Sequence, residues 1–175
     1  MTLMKKIKIF AFFLFCSCTI QAQTQDIFDI SRKGTLEEIK AVFSKNPESI
    51  NSVTENKSSP LILACYRNNE AVALFLADKV ADINYNSGMG SALMAAVMSG
   101  NEKIIEKLIS LNADLNLKDN QGKTALIYAV FFNKNEVVKL LLKAGSDKKI
   151  TDNDGRTALD YATFNKNTEL IILLN

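Results

Sequence analysis

Thr124-Ala125-Leu126-Ile127-Tyr128-Ala129 has three relatives along the chain: Ser59-Pro60-Leu61-Ile62-Leu63-Ala64, Ser91-Ala92-Leu93-Met94-Ala95-Ala96 and Thr157-Ala158-Leu159-Asp160-Tyr161-Ala162. Their starts are separated by 32, 33 and 33 residues. A repeat of this period belongs to stacked units, none of which can bury its apolar face alone. The hydroxyl residue that opens each stretch stands where a helix N-cap belongs, its oxygen accepting a backbone N–H that would otherwise lack a partner. Pro60 falls at the first helical position, where its missing N–H costs nothing. Asp160, three residues after Thr157, can reach back to the cap as in a capping box. The expectation is an all-α solenoid whose surface is its function.

Nine residues after the first three caps come Asn68, Gly100 and Asn133, the residue types that tolerate the left-handed conformation ending a helix. Gly34 marks the same place in a degenerate leading unit. A second helix should follow in each unit, because Glu70, Glu102, Glu136 and Glu169 then lie in its first turn, where negative charge suits the helix dipole. Ile105, Leu108 and Ile109 match Val138, Leu141 and Leu142 one period later and form an apolar stripe at helical spacing. Polar segments such as Lys118-Asp119-Asn120-Gln121-Gly122 and Thr151-Asp152-Asn153-Asp154-Gly155 read as tight turns projecting between units. In the leading unit Ile27, Phe28, Ile30, Leu36, Ile39, Val42 and Phe43 supply the apolar face beneath a charged, solvated cap.

The pattern of cap, Ala or Pro, Leu, two variable residues and Ala, then a Gly or Asn, a second helix and an Asp- and Gly-bearing turn, resembles the ankyrin repeat. Ala81-Asp82-Ile83-Asn84 and Ala113-Asp114-Leu115-Asn116 are similar to that family's Ala-Asp-Val-Asn signature, and Lys143-Ala144-Gly145-Ser146-Asp147 is a looser version. The resemblance covers residues 26–175 and implies helix-turn-helix units with short hairpin-like fingers, about four repeats plus a degenerate N-terminal cap repeat. The units run approximately over 26–54, 55–85, 86–118, 119–151 and 152–175, within a repeat domain of residues 23–175. One departure is plain: the family usually carries His after the Leu of its Thr-Pro-Leu-His motif. Here Ile62, Met94, Ile127 and Asp160 stand there, and the chain has no His. The inter-repeat hydrogen bonds of such a His have no donor in this chain.

Residues 1–22 are of another kind. Lys5, Lys6 and Lys8 precede the apolar run Ile9 to Phe15, and Ile20-Gln21-Ala22 closes it with a small residue, the arrangement of a cleavable export signal. The run is too short to make a good membrane span. Its removal takes three of the 21 basic residues, and the remaining 18 face 19 acidic ones, a net charge of −1. That balance argues against a nucleic-acid partner, which would want a basic stripe. Cys16 and Cys18 go with the leader, leaving Cys65, which follows Ala64 on a first helix and reads as a small buried apolar residue. A second reading of the leader stands beside the first. Ser17 before Cys18 is similar to a bacterial lipobox, although Phe15 fits it poorly, and a lipid on Cys18 would be the chain's one route to a membrane.

The constellations of an enzyme are missing: no His, no Cys pair in the repeat domain, no glycine-rich phosphate loop and no Gly-x-Ser-x-Gly turn. No cofactor or metal is expected. Asp152-Asn153-Asp154-Gly155 starts like a calcium loop, but its Gly comes early and its twelfth position is Thr163, so a plain turn is the better reading.

The resemblance implies that partners are bound by the fingers and by the inner, concave row of first helices. The residues free to vary there are the two after each Ala-bearing pair: Arg32-Lys33, Tyr66-Arg67, Met98-Ser99, Phe131-Phe132 and Phe164-Asn165. One register therefore reads Arg32, Tyr66, Met98, Phe131, Phe164. Aromatic residues and Met are enriched at interface cores, which makes this stripe a candidate for partner binding. The competing reading is half-buried packing between neighbouring helices. Finger candidates are Tyr85, Asn86, Met89, Lys118, Asn120, Gln121, Lys123, Thr151, Asn153, Asp154 and Arg156, of which Tyr85 stands out as an apolar residue at a tip. The sequence thus points to an exported protein-binding module, monomeric alone, whose partner is a periplasmic enzyme, a toxin or an envelope protein. The alternatives are a self-assembling envelope subunit, docking through the apolar last helix Glu169-Leu170-Ile171-Ile172-Leu173-Leu174, and an enzyme.

Overall fold

The caps decide where the helices start. In the computed structural model, which describes residues 26–175, the hydroxyls of Ser59, Ser91, Thr124 and Thr157 each accept the backbone N–H three residues on. The leader, with Cys16 and Cys18, lies outside the described residues. Helix pairs follow one another: α1 (Ile27–Lys33) and α2 (Leu36–Lys45), α3 (Pro60–Tyr66) and α4 (Glu70–Ala77), α5 (Ala92–Ser99) and α6 (Glu102–Ser110), α7 (Ala125–Phe131) and α8 (Asn135–Lys143), α9 (Ala158–Phe164) and α10 (Thr168–Leu174). A 3₁₀ turn, Pro47–Asn51, leaves the first pair. Thr157 and Asp160 form a reciprocal capping box, and so do Thr35 and Glu38; these bonds fix the first turn of two short helices that propensity alone would not hold.

Within each pair the reversal is abrupt. Asn68, Gly100 and Asn133 adopt φ of 57°, 80° and 53° at the end of the first helix, the left-handed stop their residue types suggest. Lys166 holds the same place in the last unit with φ 55°, without the help of Gly or Asn. Gly34 ends α1 in another way. Its φ is −81°, an ordinary value, and what the position requires is space, because a Cβ would lie 2.7 Å from the Ile30 Cα.

Two layers result. The first helices α1, α3, α5, α7 and α9 lie side by side in one row, and the second helices pack behind them, α2 on α4, α4 on α6 and α8 on α10. Ala64, Ala96, Ala129 and Ala162, one per unit, are completely buried in the inner row, where a small side chain lets the helices approach. Ile105, Leu108, Val138 and Leu141 are completely buried from the second row, with Ile109 and Leu142 half-buried beside them. The cap unit contributes Ile27, Ile30 and Ile39 to the same continuous core.

Most side-chain hydrogen bonds between repeats involve asparagines. Oδ1 of Asn51, Asn84 and Asn116 accepts the backbone N–H of Ala81, Asp114 and Asp147, each at 2.8 to 2.9 Å and each about one period downstream. On the opposite side the Asn101 amide donates to Asn68 and Glu70, and the Asn167 amide to Asn133 and Asn135. The Asn69 amide donates to three carbonyls at the end of α1, those of Ile30, Ser31 and Gly34, which clamps the cap unit to its neighbour. Of the positions after each motif's Leu, Ile62, Met94 and Ile127 are filled by buried packing, while Asp160 is exposed.

The fingers are turns closed by side chains. In two successive fingers the N–H of Asp119 and Asp152 reaches the carbonyl of Lys123 and Arg156, while Gly122 and Gly155, at φ 75° and 77°, turn the chain. Neighbouring fingers are tied by Asn120 N–H to the Gly88 carbonyl and Asn153 N–H to the Gln121 carbonyl. Among the described residues the one strand-like contact is the bridge between Asn86 and Ser91.

Candidate functional site

The last two units carry one arrangement twice: Asp119, Lys123, Tyr128 and Phe131, then Asp152, Arg156, Tyr161 and Phe164, at identical spacing. Each aspartate organises its finger. Asp119 Oδ1 accepts the N–H groups of Gln121 and Lys123, and its Oδ2 accepts the Tyr128 hydroxyl at 2.5 Å. Asp152 does the same with the N–H groups of Asp154 and Arg156 and the Tyr161 hydroxyl. Burial pushes the Asp152 carboxyl up, but the Tyr161 hydroxyl and the two backbone donors outweigh it and hold it below the usual range. Burial first and the aspartate second push both phenols up, so each tyrosine is a neutral donor that pins the start of a first helix to its own finger.

On this frame the stripe stands outward. Tyr66 is 53 % exposed, Phe131 44 %, Phe132 43 % and Phe164 82 %. Phe131 sits edge-on against Tyr161 of the next unit, with ring centroids 5.7 Å apart, and edge-on against Phe132 at 5.0 Å. Phe132 lies nearly parallel to Tyr128 at 6.2 Å. The Lys123 ammonium is 5.8 Å from the Phe131 ring centre and 5.9 Å from that of Tyr128. Phe131 and Phe132 are thus both exposed and packed, while Phe164 has no following ring against it among the described residues.

The other sequence candidates divide by the work they do. Arg67 is exposed at the end of α3, and Met98 and Ser99 are half-buried, the Ser99 hydroxyl donating to the Ala96 carbonyl. Asn165 is a tie between units, its amide donating to the Val130 and Phe131 carbonyls. Asn120 and Asn153 are exposed but belong to the finger ladder, and exposed Lys118 gives its carbonyl to the Asn86 amide. Tyr85 is not the unexplained tip residue that its sequence position suggests. It is half-buried against the core, and its hydroxyl donates 2.8 Å to the Lys57 carbonyl of the preceding finger. The exposed apolar residue at that finger is Met89. The residues that sequence reasoning missed are Asp119, Asp152, Tyr128 and Tyr161; the signal was the doubled Asp-to-Tyr spacing.

Cys65 is completely buried, and desolvation pushes its thiol far up, the state of an inert packing residue. Among the described residues there is no group of His, Cys, Asp or Glu placed to hold a metal, and no helix is long and apolar enough to cross a membrane.

The family profile "Ankyrin repeats (3 copies)" matches residues 27–119 and 93–175. The chain is 30% identical over 102 residues to the Ankyrin repeat and SAM domain-containing protein 6 of Rattus norvegicus, and 29% identical over 102 residues to that of Mus musculus. These alignments cover 57% of this chain and 12% of each relative, so the chain spans about an eighth of their length.

Proposed function

The chain belongs to the ankyrin-repeat family, whose repeats are generally protein–protein interaction modules and typically non-catalytic, and we propose that it is an exported binding protein that holds a protein partner on its row of first helices. The observation that carries this reading is the stripe. Tyr66, Phe131 and Phe164 are large, aromatic and exposed at one register of the repeat, with Met98 half-buried in the same register and Phe132 exposed beside Phe131. Single exposed apolar residues are ordinary on a protein surface, whereas residues aligned on one face need a cover. The lack of His and of any paired nucleophile and base in the sequence supports binding over catalysis.

Export rests on the basic and apolar leader, Lys5 to Ala22. Mass spectrometry of the protein from its host should find a chain beginning near Gln23; an acylated Cys18 would place it on a membrane instead. A photo-crosslinker installed at Tyr66 or Phe164 should capture a protein that the same group at Lys40, on the second row, does not. Equal capture from both rows, or none from the first, would contradict the reading. One observation favours a second reading, self-assembly: Ile172 and Leu173 of α10 are 72 % and 37 % exposed. Mass rising with concentration in sedimentation, abolished by Ile172→Glu, would select it.

A further inference from the structure

Among the described residues, the second helices are fastened to one another by side chains at every junction but one. The rings of Phe43 on α2 and Phe75 on α4 meet edge-on, with centroids 5.7 Å apart. Lys103 and Lys107 of α6 pair with Glu70 and Asp78, at the two ends of α4, at 3.2 and 2.6 Å. Between α8 and α10, Lys139 pairs with Glu169 at 2.7 Å, and the Asn135 amide donates to the same carboxylate. No ion pair, side-chain hydrogen bond or aromatic pair of the described residues joins α6 to α8, and these two helices meet less closely than α4 and α6 or α8 and α10 do.

The turn end of this junction is unfastened as well. Asn101 and Asn167 each act twice from one position: Oδ1 caps the helix that follows, accepting the N–H of Ile104 or Leu170, and the amide reaches back to the preceding unit. Between them in the ladder stands Lys134, which gives α8 no side-chain cap. The acceptor is missing too. Asn68 and Asn133 receive those amides, and the residue between them in the same ladder is Gly100. The Lys134 ammonium lies over it, with Nζ 2.6 Å from where a Gly100 Cβ would stand. A hollow of about 220 Å³ is found here, lined by Gly100, Glu102, Lys134, Asn135, Glu136 and Val137. At the finger end the junction is closed, because Asn116 accepts the Asp147 N–H and the Asn120 N–H reaches the Gly88 carbonyl.

We propose that the junction between the third and fourth units is a hinge, held at the finger end and free at the turn end, which divides the solenoid into α1–α6 and α7–α10. Hinges are made by a few residues at the ends of elements, and here they are Gly100 and Lys134. The stripe feels the motion directly, since Met98 and Phe131 stand at the turn ends of α5 and α7. Opening the hinge widens the gap between them and parts Tyr66 and Met98 from Phe131 and Phe164. This consequence rests on the proposed use of the first-helix row; the hinge itself does not.

Distances between spin labels test it in the full chain, with Cys16→Ser and Cys18→Ser so that the completely buried Cys65 is the one native thiol left. One pair, Ala71→Cys with Glu136→Cys, spans the free junction from α4 to α8. The other, Lys40→Cys with Glu106→Cys, spans only fastened junctions from α2 to α6, and all four positions are exposed. The first pair should give the broader distance distribution. Lys134→Asn, which offers Glu102 the amide that Asn101 gives Glu70, should narrow the first pair and leave the second unchanged. Equal widths in the native chain would overturn the hinge, and so would a first pair unmoved by Lys134→Asn in a folded variant. The comparison of the two pairs decides even if that variant unfolds. The partner captured at the first-helix row should bind Lys134→Asn about threefold or more tightly, because fastening removes conformations in which the halves of the stripe stand apart. Unchanged or weaker affinity would overturn the link to the stripe. A broad first pair in a chain that captures no partner would support the hinge and count against the binding face alone.

Discussion

Lys166 shows how far a single residue can stand from the ideal of its own repeat. Its three counterparts are Asn68, Gly100 and Asn133, yet it holds φ 55° with a long side chain on an exposed turn. A left-handed residue other than Gly carries a steric cost of about 1–2 kcal/mol, part of which Gly returns as unfolded-state entropy. Lys166→Gly should therefore raise stability by about 0.5–1 kcal/mol in a denaturant titration, and a loss would mean that the turn is held by the lysine side chain. Leu126 is the opposite case, almost completely buried in α7. Leu126→Ala should cost about 2–5 kcal/mol as a large-to-small change in a packed core, and a melting midpoint unmoved by it would contradict the repeat register. The sequence left Phe131 and Phe132 open between a binding surface and half-buried packing, and each is both exposed and packed. The aromatic pairs with Tyr161, Tyr128 and each other are worth about 0.5–1.5 kcal/mol apiece, so replacing both by Ser costs stability as well as contact.

The fingers and first helices are coupled by the Asp-to-Tyr bonds, and those bonds make the last unit sensitive to acid. The folded Asp152 carboxyl titrates below its unfolded value near 3.9. Its contribution is therefore present above that value and is lost as pH falls through the lower folded one. Thermal midpoints measured from neutral pH down into the acid range should fall for the native chain and fall less steeply for Asp152→Asn, which starts lower. Parallel curves would show that the Tyr161 bond carries no linkage. This coupling lay in the sequence as a spacing, Asp followed nine residues later by Tyr in both final units, but nothing in a spacing says that two side chains meet. The helix starts and stops were plainer, because a hydroxyl cap and a left-handed Asn or Gly act within one turn of where they stand. Gly34 misled for the same reason: it sits at a helix end, and only the backbone of Ile30 reveals that it is there for room.

Among the described residues five helix pairs share one core, and each unit is bound to the next by asparagine side chains about one period apart. The missing His was visible in the sequence; its replacement was not, since asparagines are common in turns and their amides reach across units only once the units are stacked. The stripe was legible as a register, but the exposure of Tyr66, Phe131 and Phe164 and the half-burial of Met98 depend on how the units stack. The central claim is that this face holds the partner, and Phe164 separates binding from folding best because it is 82 % exposed. The decisive measurement is the affinity of the partner captured by crosslinking at that face, by calorimetry against the native chain and Phe164→Ser, with melting midpoints recorded for both. The account expects an affinity loss of about 2 kcal/mol, roughly thirtyfold, with stability changed by less than about 0.5 kcal/mol. Unchanged affinity in the folded variant would contradict it.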